Sequence, residues 1–232
     1  MIDRFSIGVT AKQLATRFEV EEPTAFQARY NVAPSQLVPV IMAAQLKGFS
    51  FFYWGQPPGW AKNKTLAEKI INVRIEQIGE RPTLRKTLNN HRCIIPADGF
   101  YSWKKWGKKS QIPWRFCNKD RSLFSMAGFW EEYDDEEGNE FHTFTILTVA
   151  SNEFILPVTE RMPVIFDKEQ EHIWLNESSS EEELMKLLIA KPSALFDGFA
   201  VSPQLNSIEF DRPSLVLPVP PSDQYGNLTL FD

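Results

Sequence analysis

Long apolar runs are absent from this 232-residue chain: no stretch approaches the roughly 20 residues that a helix needs to cross a bilayer. The opening residues, Met1 to Thr10, lack the basic-then-apolar order of a secretory leader, so a soluble cytoplasmic protein is expected, with no membrane partner. Cysteine is nearly missing. Cys93 and Cys117 lie in apolar, strand-like stretches with no second Cys or His at ligand spacing; this supports neither a disulfide framework nor a zinc site and predicts buried, inert thiols. Histidine is equally sparse, and His91, His142 and His172 sit in scattered surface-like or strand-like contexts that predict structural roles. No P-loop, dinucleotide fingerprint, HExxH helix or GxSxG elbow occurs, so no cofactor and no metal are expected.

What the chain has in quantity is apolar and aromatic side chains, 43% and 13% of its residues, enough to bury a sizeable core in one domain over 1–232. Its charge is unevenly spread. The formal net charge is -5, yet Ala61 to Arg121 holds 15 Lys or Arg against 5 Asp or Glu, leaving 10 against 25 elsewhere. A positive face able to attract a polyanion is one reading of this segment; a solvated run of surface charge is the other.

Helix signals are few and local. Thr10 with Gln13 forms a capping-box pattern ahead of Leu14 and Phe18, and Ser180 with Glu183 repeats it ahead of Leu184, Leu187 and Leu188. Asp167 opens a helix through Trp174, and Pro82 to Leu88 reads as a helix with proline in its first turn. Between these lie short strand candidates at Leu37–Ala44, Phe49–Tyr53, Cys93–Ile95, Phe100–Lys105, Trp114–Cys117, Leu123–Trp130 and Phe141–Val149, separated by compact turns. Such spacing predicts antiparallel meanders rather than parallel crossovers. The expected class is α+β: a curled sheet or open barrel with peripheral helices, followed from about 203 to 232 by a Pro-rich tail, laid along the body or partly disordered.

The distinctive segments are polar and aromatic words: Tyr30-Asn31-Val32-Ala33-Pro34, Trp54-Gly55-Gln56-Pro57-Pro58-Gly59-Trp60, Ile71-Asn72-Val73-Arg74, Pro96-Ala97-Asp98-Gly99-Phe100-Tyr101-Ser102-Trp103 and Thr159-Glu160-Arg161-Met162-Pro163. Each is expected to be a loop entering or leaving a strand. Two indoles joined by a proline-stiffened loop suit stacking on unpaired bases, and equally suit a Trp-Pro core cluster.

In this order the words resemble those of the SOS-response-associated peptidase (SRAP) family. That family runs Met-Cys-Gly-Arg, Tyr-Asn-(Ile/Val)-Ala-Pro, Trp-Gly-Leu-x-Pro-x-Trp, Asn-Ala-Arg-x-Glu, Pro-Ala-Asp-Gly-Phe-Tyr-Glu-Trp, Phe-Ala-Gly-Leu-Trp-Glu, Thr-Phe-Thr-Ile-Leu-Thr and His-Asp-Arg-Met-Pro. The resemblance implies abasic-site chemistry on single-stranded DNA: the α-amine and thiol of a cysteine at position 2 attack the ring-opened aldehyde and close a thiazolidine. It also implies an Asn that orients the new N-terminus and the sugar, a Glu that manages protons near the amine, and a His that serves ring opening or strand release. The same nucleophile is associated with cleavage of a short propeptide.

Matched position by position, most of that chemistry is missing. Ile2 stands where the family has its cysteine, Ser102 where it has Glu and Thr159 where it has His; of the catalytic set only Asn72 remains. Asp3 replaces Gly, and Glu160 replaces Asp. Ser102 and Thr159 have no pKa near neutrality and cannot shuttle protons as a carboxylate or imidazole does. The positions that hold DNA in the family are better kept: Arg4, Asn31, Arg74, Thr148, Arg161, Trp54, Pro58 and Trp60, with Arg81, Arg85 and Lys104-Lys105-Trp106 extending the positive track. For Arg74 and Arg161 the alternative is an ion pair with Glu68, Glu76 or Glu160. The expectation is a binder of single-stranded or abasic DNA, nucleoid-associated when bound, that does not form the crosslink. Residual imine chemistry at the N-terminal amine and a protein-interaction module are the alternatives.

Overall fold

The structure, a computed structural model, describes residues 2–43, 45–55, 71–134, 137, 138 and 140–229. The expected Pro58, Trp60 and Glu68 lie outside the described residues.

Local capping sets the helix starts. Thr10 caps α1 (Ala11–Phe18), its hydroxyl accepting from the Gln13 amide at 3.2 Å while the Gln13 side chain accepts from the Thr10 amide at 2.9 Å. Asp167 and Gln170 cap α4 (Lys168–Leu175), and Ser180 and Glu183 cap α5 (Glu181–Leu187), in the same reciprocal way. Two further helices, α2 (Glu76–Glu80) and α3 (Pro82–Asn90), follow each other directly; α3 is the one expected from proline, whereas α2 has no side-chain cap to announce it.

The strands form two sheets. One has five, in the order β13 (Phe196–Ala200), β8 (Ser110–Asn118), β7 (Gly99–Trp106), β1 (Arg4–Ile7) and β2 (Arg29–Val32). The other runs from β10 (Glu140–Ala150) through β4 (Gln45–Trp54), β3 (Leu37–Met42) and β6 (Arg92–Ala97) to β9 (Phe124–Asp134), and β9 pairs back with β10. These five strands therefore close into a barrel, the curling of the expected curled sheet or open barrel carried to closure. Closure leaves none of the five with an unpaired edge. Three short strands, β5 (Asn72–Arg74), β11 (Arg161–Pro163) and β12 (Ile165–Phe166), attach to β9 and β10.

Pairing is mostly antiparallel, with one correction to the expected meander: β10 runs parallel to both β4 and β5. The words also sit inside strands more than between them, since Tyr30–Val32 belongs to β2, Asn72–Arg74 is β5 and Gly99–Trp103 lies in β7. Gly128 shows why barrel closure needs a residue without a side chain: a Cβ there would lie 2.4 Å from the Ile95 methyl and 2.8 Å from the Thr145 carbonyl.

One contiguous core joins the sheets, with Phe5, Phe100, Phe116 and Phe196 of the first against Ile94, Phe144, Leu147 and Trp174. Two arginines of the basic segment turn inward and leave the surface charge. Arg92 donates to four carbonyls at the ends of α3 and α4, those of Leu88, Asn89, Trp174 and Asn176, at 2.6–2.9 Å. Arg115 pairs with Asp98 at 3.0 Å. The Pro-rich segment is laid along the body: Leu205 and Leu215 are buried against Tyr101, and Asp211 accepts from the Tyr30 and Asn31 amides and from Arg29, covering the edge of β2.

Candidate nucleic-acid interface

β10 assembles the site. At Thr148 it is flanked by β5 on one side, with Arg74 opposite, and by β11 on the other, with Arg161 opposite Ala150 two residues on. Strand alternation then sorts the side chains: Val73 and Met162 go to the core, while Asn72, Arg74 and Arg161 line a cleft of about 960 Å³. β1 and β7 supply the facing wall. Their register sets Arg4 opposite Tyr101, so one step further Ser102 comes level with Asp3. Trp103 and Lys105 from β7, Arg81 from the start of α3 and Leu156 to Arg161 complete the lining.

Five cationic side chains, Arg4, Arg74, Arg81, Lys105 and Arg161, line this cleft with two carboxylates, Asp3 and Glu160. The excess is what phosphate binding requires. Arg161 donates to both oxygens of Glu76, at 2.8 and 2.9 Å, and also to the Thr148 carbonyl. This bond holds the Glu76 carboxyl below its ordinary range. Thr148 is buried and gives its hydroxyl to the Val73 carbonyl at 3.2 Å.

In the cleft wall, Asn72 Nδ2 donates to the Ile2 carbonyl at 2.6 Å and holds the N-terminal residues in place. The Ile2 side chain is wholly buried in the core. Burial pushes the Asp3 carboxyl up, against the opposing charge of Arg4, and burial also lowers the Arg4 guanidinium. Ser102 is almost enclosed, and Thr159 gives its hydroxyl to the Arg161 carbonyl at 3.3 Å. No cysteine or histidine is among the described residues that line the cleft, and no cluster of three or more potential metal ligands occurs among the described residues. Both thiols are buried with their pKa raised by desolvation. His91 stacks on Trp130 and His142 on Phe52.

Five expected contact residues lie outside the cleft lining, Lys104 and Trp106 of β7 among them. Trp54 is fully buried, its indole stacked over Phe144, edge-on to Phe5 and donating to the Ile71 carbonyl at 2.9 Å, so it is a core residue. Asn31 is also fully buried; its amide donates to the carbonyls of Leu205, Ser207 and Phe210 and anchors the C-terminal segment. Arg85 lies outside the cleft, paired with Glu181 at 2.5 Å. Conversely, Trp103, Gln77, Gln111 and Asn206 line the cleft although no expectation fell on them. Trp103 was within reach of sequence reasoning, being one residue past Ser102; Asn206, which accepts from the Trp103 indole at 2.9 Å, was not.

Comparison with known proteins identifies the family. The chain matches the family described as SOS response associated peptidase (SRAP) over residues 1–208. It is 34% identical over 221 residues to abasic site processing protein YoqW of Bacillus subtilis, covering 93% of this chain and 99% of that one. It is 27% identical to abasic site processing protein YedK of Escherichia coli, over 82% of this chain and 85% of the other. A crystal structure of a Bacteroides thetaiotaomicron protein superposes with a TM-score of 0.82 at 26% identity, covering 93% and 99% of the two chains. The chain belongs to the SOS response associated peptidase family, as a divergent member with Ile2 where the resemblance calls for cysteine.

Proposed function

We propose that this protein binds single-stranded DNA at or near abasic sites, as part of the response to DNA damage, without forming the thiazolidine crosslink. The observation that carries the reading is one cleft in which Arg4, Arg74, Arg81, Lys105 and Arg161 converge while the residue at position 2 turns a hydrocarbon side chain into the core. Arginine forks suit phosphate oxygens, and a partly buried cationic cleft holds a polyanion without reading its sequence. No side chain at position 2, 102 or 159 supplies a thiol, a carboxylate or an imidazole. Shielding of the lesion is the role that fits such a binder.

The test uses the purified protein and a single strand carrying one abasic site, run on native and on denaturing gels. Retardation on the native gel with no denaturation-resistant band is expected. A heat-stable band would show that the cleft has another nucleophile, and a band trapped only with borohydride would assign imine chemistry to the N-terminal amine. Absence of any salt-dependent retardation would remove the DNA reading and favour a protein partner.

A further inference from the structure

Among the described residues, four of the eight buried side-chain polar atoms that lack a partner belong to residues of one cleft, the other four being those of Asn31, Trp114, Arg115 and Ser151. The four in the cleft are Asp3 Oδ1, Arg4 Nε, Asn72 Oδ1 and Arg161 Nε. Their remaining groups are largely committed. Asn72 spends its Nδ2 on the Ile2 carbonyl, which fixes the amide and leaves its oxygen as an acceptor. Arg4 gives Nη1 to the Asp3 carbonyl at 2.6 Å, and the terminal nitrogens of Arg161 serve Glu76 and the Thr148 carbonyl. What is left over is two oxygen acceptors and two N–H donors. Buried groups of this kind are costly to leave unmade, so their concentration marks where a ligand completes the bonding.

The chemistry of that ligand follows from the set. It must bring acceptors for the arginines, which phosphate oxygens do, and a hydroxyl donor for the carboxyl or amide oxygen. An intact deoxynucleotide within a strand has no free sugar hydroxyl, because both of its sugar oxygens are esterified and C1′ carries the base. A base-less deoxyribose has one, at C1′ in the closed ring or at C4′ once the ring opens and C1′ becomes the aldehyde. Asp3 is the less expected of the two acceptors, since the family resemblance has glycine there. The β1–β7 register sets it level with Ser102, so a carboxyl from one strand stands beside the position where the neighbouring strand has none. Rotation about the Cβ–Cγ bond exchanges its two oxygens.

We infer that Asp3 is a specificity-determining residue that recognises the free hydroxyl of a base-less deoxyribose by a noncovalent hydrogen bond. The inference rests on the single-strand-binding reading above and deepens it, from a cleft that holds DNA to one that distinguishes the lesion.

The experiment measures fluorescence anisotropy with three labelled single strands identical except at one central position. That position is an ordinary nucleotide, a tetrahydrofuran lacking the C1′ hydroxyl, or a borohydride-reduced abasic site that keeps its hydroxyls but has no aldehyde and cannot react. The reduced site is expected to bind roughly tenfold tighter than tetrahydrofuran, the size of one charge-assisted hydrogen bond. In Asp3→Ala that ratio falls to about one, while affinity for the ordinary strand rises because the cationic cleft has lost a negative charge. Asp3→Asn, which keeps an oxygen acceptor and the side-chain size, retains an intermediate ratio. Equal affinity of the unaltered protein for the two lesion strands, or a ratio untouched by Asp3→Ala, overturns the inference and leaves the binding reading standing. If none of the three strands binds with salt dependence, both fall.

Discussion

Arg161 grips Glu76 with both terminal nitrogens, from a side chain 15% exposed to a carboxylate 53% exposed. Arg161 lines the cleft and is braced there by an acid, and the proposed function has the same arginine meet a phosphate. The bracing keeps the guanidinium in one orientation, and under the proposed function the same carboxylate would compete with DNA for its nitrogens.

Removing the two arginines of β5 and β11 together therefore tests the cleft directly. Arg74→Ala with Arg161→Ala should weaken single-strand binding at least tenfold and reduce the slope of log affinity against log salt by about 1.4, at ~0.7 for each phosphate no longer neutralised. Glu76→Gln should act in the opposite direction and tighten binding, because it frees Arg161 of its charged competitor. Anisotropy titrations at several salt concentrations read both.

Acidity should act on the cleft through Asp3. Its carboxyl is held above its ordinary value of 3.8 by burial, so over a window above that value the folded chain keeps a proton that the unfolded chain has lost. The associated stability is fully present at low pH and is lost as pH rises through the folded value. Bound phosphates push the same carboxyl higher still, so single-strand affinity falls as pH rises across the window. Asp3→Asn should flatten that profile. Glu76 has the opposite sign: its carboxyl is lowered by Arg161, and its contribution, present above 4.5, is lost as pH falls through the folded value.

Restoring a cysteine alone should not restore the chemistry. Ile2→Cys is expected to give no substantial heat-stable band on abasic DNA, because Ser102 and Thr159 still supply no group that titrates near neutrality. It should also cost about 1–2 kcal/mol of stability, since Ile2 is wholly buried. The triple change Ile2→Cys, Ser102→Glu, Thr159→His should produce the band. A strong band from Ile2→Cys alone would show that Asp3 or another group already handles the protons.

The interior placement of Trp54 and Asn31 makes their substitutions stability experiments. Trp54→Ala should cost ~3–5 kcal/mol by emptying the space between Phe5 and Phe144. Asn31→Ala leaves three carbonyls of the 205–210 segment without their donor and should cost ~1–3 kcal/mol. Limited proteolysis should then cut first between Pro203 and Val216. Loss of DNA affinity at unchanged melting temperature in either variant would return that residue to the binding surface.

The sequence by itself determined the features whose causes span a few residues. Thr10, Asp167 and Ser180 each cap a helix through a partner three positions along, so those starts were readable before any tertiary contact was known. The family words, the missing thiol at position 2 and the uneven charge were equally plain in the chain. Tertiary structure decided what depends on pairing between distant residues. Closure of the barrel rests on β9 meeting β10 and β6 at once, and the parallel pairing of β5 with β10 joins segments far apart in the chain. Neither leaves a local signal. The same holds for Asn31, Arg92 and Arg115, polar residues that packing turns inward, and for Trp54, for which the sequence left base stacking and a core cluster equally open. In a strand, neighbouring side chains point to opposite faces, so the register with distant strands determines which arginine faces the cleft and which faces the core.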